Sequence, residues 1–181
     1  MLNNSPITAT QKWLVSFVIA HNICPFASHV HDSGSIRYET VVSRNMEDSL
    51  QALMAECRYL DAHPATATTL LIFSRSWVDF DDFLDMLAIA EQLLVDQGYE
   101  GIYQLASFHP NYCFANSEPD DPGNFTNRSP YPMLHIIREK DIEKALSSYK
   151  NPELIPERNI QLLRKIGLEK LREQFAVYFL E

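Results

Sequence analysis

Six consecutive residues, TTLLIF at 68–73, constrain the fold of this chain more than any other stretch. β-Branched and apolar side chains in a short run without polar alternation fit a strand covered on both faces, near the centre of a sheet. Such a strand needs partners on its edges and helices above and below it. The stretch SIRYETVV alternates Ile36, Tyr38, Thr40 and Val42 against Arg37, Glu39 and Val41, which is the pattern of a half-buried strand. GIYQLASF and MLHIIRE supply two more apolar, β-rich runs. Strands are therefore predicted over 35–42, 67–73, 101–108 and 133–138.

Helical periods fill the gaps. Residues 9–22 repeat Trp13, Phe17 and Ala20 or His21 at helical spacing, with Thr8 or Thr10 as the cap and Pro25 as the stop. Asn45 with Asp48 resembles a capped start for a helix near 46–61, whose inner stripe is Leu50, Leu53 or Met54, Cys57 and Leu60. Asp79 caps the next, 80–97, and Gly98 ends it. Asp141 caps a short helix to about Tyr149. Pro156 opens another that stops at Gly167, and Leu168, Leu171, Phe175 and Phe179 mark the last. Strands alternating with helices imply crossovers and parallel pairing of the first three, while the fourth can pair either way. The expected fold is a single α/β domain over 1–181. It is a sandwich with a mixed sheet of about four strands, packed by helices on one or both faces, with a helical tail over 152–181.

Composition excludes some functions. The formal charge of −9 opposes nucleic-acid binding, which needs clustered cations, and it opposes attachment to an anionic membrane surface. No apolar run reaches the length of a bilayer span, and the stretch Trp13–Ala20 carries no signal-peptide cleavage site. Three cysteines without CxxC spacing argue against a disulfide framework, and with no export signal they point to the cytoplasm.

The long segment 109–132 holds the polar groups. It carries five prolines, and its aromatics Tyr112, Phe114, Phe125 and Tyr131 argue against disorder. His109 sits just past the third strand, where ligands gather in parallel sheets. Asn111, Tyr112, Asp120, Asp121 and Asn124 to Ser129 follow on a stiffened tether. Two readings stand side by side. Asn124, Asn127 and their neighbours either bind a ligand or staple the loop backbone. Arg128 either holds a carboxylate or phosphate, or pairs with Asp120 or Asp121. His135, between Leu134 and Ile136, is either a satisfied core residue or a ligand contact. Cys24, at a chain break, is the cysteine best placed for nucleophilic chemistry, although the helix end before it disfavours the thiolate. Metal-ligand spacing is absent; Asp120 and Asp121 are weak candidates, and His29-Val-His31 is a short pair in a loop. Without a P-loop, GxGxxG or GxSxG, nucleotide cofactors held by such loops are disfavoured. The residues point to no particular cofactor and to no oligomeric state.

Several stretches occur together and in order: NICPFA at 22–27, IR at 36–37, TTLLIF at 68–73, LASFHPNYCFA at 105–115, NFTNRSPYPMLHIIRE at 124–139 and IPERNI at 155–160. On these the chain resembles the bacterial family called domain of unknown function 1415, nearly end to end. The resemblance implies a soluble protein of one domain and carries over no catalytic residue.

Three functions follow as expectations. The first is a cytoplasmic enzyme acting on a small anionic metabolite at a pocket formed by loop 109–131. There Arg128, helped by Arg37 or Arg138, holds the anion, His109 is general acid or base and Cys24 the candidate nucleophile. The second is a non-catalytic small-ligand-binding or sensor protein using the same residues. The third makes the loop purely structural.

Overall fold

Strands β1 (Ile36–Val41), β2 (Thr68–Phe73), β3 (Tyr103–Phe108) and β4 (Met133–Arg138) form one mixed sheet in the order β1–β2–β4–β3. The computed structural model describes residues 5–147 and 149–179; positions 1–4, 148 and 180–181 of the expected domain and its helices lie outside the described residues. β1 and β2 pair in parallel, as expected, but β3 does not join them. β4 inserts between β2 and β3, antiparallel to both. The reason is the connector: Phe108 pairs with Met133, so the segment 109–132 leaves and re-enters the sheet at one end. A chain that returns where it departed can only come back antiparallel. The connector is therefore the tip of a hairpin and not a crossover.

The expected helices are present with shifted ends: α1 (Pro6–Trp13), α3 (Met46–Ala62), α4 (Phe80–Asp96), α5 (Glu139–Ser147), α6 (Ile155–Ile166) and α7 (Leu168–Ala176), joined by one that was not expected, α2 (Ala27–Asp32). Asn45 and Asp79 cap α3 and α4, each accepting backbone N–H groups of the first turn. Ser5, and not Thr8 or Thr10, caps α1. The helix expected over 9–22 widens into a π-helical stretch, Leu14–Ile19, and Asn22 ends it at φ 52°, a left-handed conformation that asparagine tolerates. His29 and His31 lie on α2 and not in a loop. β3 starts two residues late because Gly101, at φ 73°, belongs to the preceding turn.

β2 is buried at all six positions, between helices on both faces. On one face Leu71, Phe73, Leu134 and Ile136 pack against Leu53, Cys57 and Leu60 of α3 and Phe83, Met86 and Ala90 of α4. On the other, Ile72, Met133 and Phe108 meet Trp13 of α1, with Phe125, Leu163 of α6 and Phe175 of α7 completing the cluster.

Candidate functional site

The connector 109–132 turns its polar side chains onto its own backbone. Asp121 caps a short 3-10 turn, Pro122–Thr126, and places Asn124 in the interior with no exposed surface. The Asn124 Oδ1 accepts from the Phe114 N–H at 3.1 Å, and its Nδ2 donates to the Glu118 carbonyl at 2.8 Å. Asn127 donates to the Ser107 carbonyl at 3.1 Å. Arg128 lies over the Phe125 ring, 4.6 Å from its centroid, and donates to the carbonyls of Tyr112 and Pro119. Asp120 and Asp121 do not pair with Arg128. They reach out to Arg172 of α7 and Arg164 of α6, and Arg164 holds the Asp121 carboxyl down to about 2.

His109 belongs to the same framework. Its ring is sealed, packed against Phe80 and Phe83 at centroid distances of 5.1 and 5.2 Å. The Asn111 N–H must donate to Nδ1, at 3.0 Å, so Nε2 carries the proton and donates it to the Trp77 carbonyl at 2.8 Å. Desolvation lowers its pKa, which keeps the ring neutral. Trp77 sits at φ 58°, a strained conformation for a bulky residue, and the histidine bond helps hold it there. Both ring nitrogens are engaged, so this imidazole has none to offer a substrate. The Tyr112 hydroxyl has no hydrogen-bond partner among the described residues, while its ring packs on Phe80 and Phe114.

The remaining expected site residues lie apart from the connector. Arg37 pairs with Glu39 and with the buried Glu56 of α3, and stacks 4.1 Å from the Tyr59 centroid. Arg138, buried, donates to the carbonyl of Leu60 in the last turn of α3, where unpaired carbonyls invite a cation, and to those of Thr66 and Ala67 in the connection to β2. Cys24 precedes α2. Burial raises its thiol pKa, opposed by the Phe26 and Ala27 amides and the nearby Arg158 charge. That thiol is protonated at neutral pH.

Clefts open at two places among the described residues. One, of about 350 Å³, lies beside Leu60, Asp61, Tyr103, Arg138 and Lys140. The other, of about 200 Å³, lies between the connector and α6, beside Asn116, Ser117, Asp121 and Arg164. In both, most polar groups bind one another. Asp61 accepts from the hydroxyls of Tyr99 and Tyr103, and Asp121 takes two donors from Arg164. Among the described residues no three His, Cys, Asp or Glu side chains could hold a metal ion, and no helix is long and apolar enough to cross a membrane.

His135 is different. It stands on the α1 face of β4, next to Leu70 of β2 and Ala106 of β3. Its ring has no hydrogen-bond partner among the described residues, and the Phe108 ring stands 6.5 Å from it. Desolvation takes its pKa down to about 4, yet the residue keeps some accessible surface. Neither ring nitrogen is among the sealed, unpartnered atoms of the described residues, so the ring edge reaches solvent. On the same face of β1, the Tyr38 hydroxyl also lacks a hydrogen-bond partner among the described residues, and its pKa is raised by desolvation. The strand alternation puts Tyr38 and Thr40 on one face, but that His135 shares this face depends on β4 lying beside β2, which local sequence does not encode.

No curated protein and no solved structure matches the chain. The family model described as protein of unknown function (DUF1415) matches residues 5–173. Spanning nearly the whole sequence, that match makes the chain a member of the DUF1415 family.

Proposed function

We propose that this chain is a small-ligand-binding protein of the bacterial cytoplasm, and that the ligand lies against the sheet at His135 while the 109–131 connector serves the fold. One observation carries the reading: among the described residues, His135 alone of the side chains expected to bind combines a place on the sheet between two strands, residual exposure and two ring nitrogens without a protein partner. Ring nitrogens that reach the surface without a protein partner are free to meet a ligand, and apolar surroundings strengthen the bond they make. Three free cysteines agree with a reducing compartment. The test is a thermal-shift screen of metabolites, repeated on His135→Ala. Hits that vanish in a variant with unchanged circular dichroism support the site; hits that persist refute it.

A second reading, an enzyme acting on a small anionic metabolite, is favoured by the larger cleft, where Arg138 and the exposed Lys140 lie together. Mass spectrometry of the screened mixtures separates the two. Binding without product removes the enzyme.

A further inference from the structure

Sheet edges are seldom left open, because unpaired N–H and C=O groups template the addition of a further strand. At β3 the edge is closed by the chain itself. The Tyr103 N–H donates to the Tyr99 carbonyl, the His109 N–H to the Asn127 carbonyl, and the Asn127 side chain to the Ser107 carbonyl. At β1 nothing comparable is found among the described residues. The Ser35 and Val41 carbonyls accept from Ala67 and Ser74, so the odd positions of β1 turn their backbone groups to β2. The N–H and C=O groups of Ile36, Tyr38 and Thr40 turn the other way, and no part of the chain bonds them among the described residues. No proline, lysine or glycine blunts this strand, IRYETV.

The side chains of that edge are self-complementary. Arg37 and Glu39 stand on the α3 face, where the arginine is anchored to Glu56, and their side chains remain 31% and 42% exposed. Ile36 and Tyr38 stand on the opposite face, half-buried in the cluster of Trp13. When a second β1 runs antiparallel about a two-fold axis at Tyr38, Tyr38 meets Tyr38 and Ile36 meets Thr40. Each such pair exchanges two backbone bonds through the groups left open. Arg37 then falls opposite Glu39 of the second copy, in a non-hydrogen-bonded pair, where side chains approach most closely. Moving the axis by one residue spoils the match. At position 37 it sets arginine against arginine, and at position 39 glutamate against glutamate.

We infer that β1 is the contact between two copies of this chain, paired antiparallel about a two-fold axis at Tyr38, so that two four-stranded sheets become one. The inference stands independently of the His135 site. Its carrying observation is that the open backbone groups and the alternating charges select the same register.

Sedimentation equilibrium of the full chain over a range of concentrations is expected to show monomer and dimer in exchange. Glu39→Arg keeps the bond from Arg37 to Glu56 but sets cations opposite cations in all three registers. It is expected to weaken association about thirty-fold with an unchanged circular dichroism spectrum. The amides of Ile36, Tyr38 and Thr40 are expected to exchange slowly in the wild-type dimer and fast in Glu39→Arg. Tyr38→Cys adds a readout without a change of charge. Oxidation is expected to link two copies through residue 38, because opposed residues of such a pair lie about 5.5 Å apart at Cα, within disulfide reach. Val42→Cys, on the same edge but away from the axis, is expected not to link. Peptide mapping distinguishes the new bond from any made by Cys24 or Cys113. A wild type that stays monomeric at every concentration overturns the inference and leaves the edge to a strand of another protein. A dimer that keeps its affinity in Glu39→Arg, or leaves the Tyr38 amide in fast exchange, pairs elsewhere and overturns it equally. Should Glu39→Arg lose its fold, linkage at residue 38 without linkage at 42 supports the interface, and any other pattern refutes it.

Discussion

Asn159 donates its side-chain amide to the Ile23 carbonyl at 2.7 Å, across 136 residues of sequence. The bond joins the two ends of the chain, because Ile23 follows the π-helical stretch and Asn159 lies on α6, buried at 3% exposure. The neighbouring Arg158 donates to the Asn22 carbonyl and to Asn159 Oδ1, so one short segment of α6 closes the turn that the left-handed Asn22 opens. Replacing Asn159 with leucine leaves the Ile23 carbonyl buried without a donor. The expected loss is about 2 kcal/mol, read as a lowered urea midpoint with an unchanged slope; a midpoint equal to that of the wild type would mean that water or another donor serves the carbonyl.

Asn124 predicts a larger effect. Its amide serves the Phe114 N–H and the Glu118 carbonyl at once, from a position with no exposure. Asn124→Ala removes both partners and is expected to cost about 3 kcal/mol. Asn124→Asp keeps the acceptor but loses the donor and buries a charge, so it is expected to be no better. If either variant melts with the wild type, the connector does not depend on this staple.

These two asparagines show which parts of the molecule are legible in its sequence. Element positions are, because periodicity and caps are local: Asn45 and Asp79 mark the starts of α3 and α4, and TTLLIF reads as a fully covered strand. Strand order is not, because nothing near residue 133 records that β4 will separate β2 from β3. The same limit applies to the site. A run of Asn, Thr, Arg and Ser advertises hydrogen-bonding capacity, but Asn124 and Arg128 spend theirs on backbone that residue types cannot identify in advance. Conversely, Tyr38 and Thr40 look like ordinary strand residues until tertiary pairing sets them on the face of His135.

The Arg37–Glu56 pair gives a third prediction. Glu56 is 4% exposed and its carboxylate takes two guanidinium donors, at 2.7 and 3.1 Å, and the Thr69 hydroxyl at 3.1 Å. Removing the arginine alone strands a buried charge, whereas removing both ions strands none. Arg37→Met is therefore expected to cost about 3 kcal/mol, and Arg37→Met with Glu56→Leu to recover most of it. A double variant as unstable as the single one would show that the pair contributes through packing and not through charge.

The buried histidines set the response to acid. His135 has a folded pKa of about 4 against about 6.5 in an unfolded chain, and His109 is lowered in the same direction, both by desolvation. A depressed folded value means that the unfolded state takes up protons first. The stability contributed by neutral His135 is therefore complete above about pH 6.5 and declines as the pH falls toward 4. Asp121, held down to about 2, adds its own loss only below about pH 4, so the two ranges do not overlap. The urea midpoint is expected to fall between pH 7.5 and pH 5 in the wild type, and His135→Gln to fall distinctly less, with the part due to His109 remaining. Equal declines in both proteins would mean that His135 is already solvated when free of ligand.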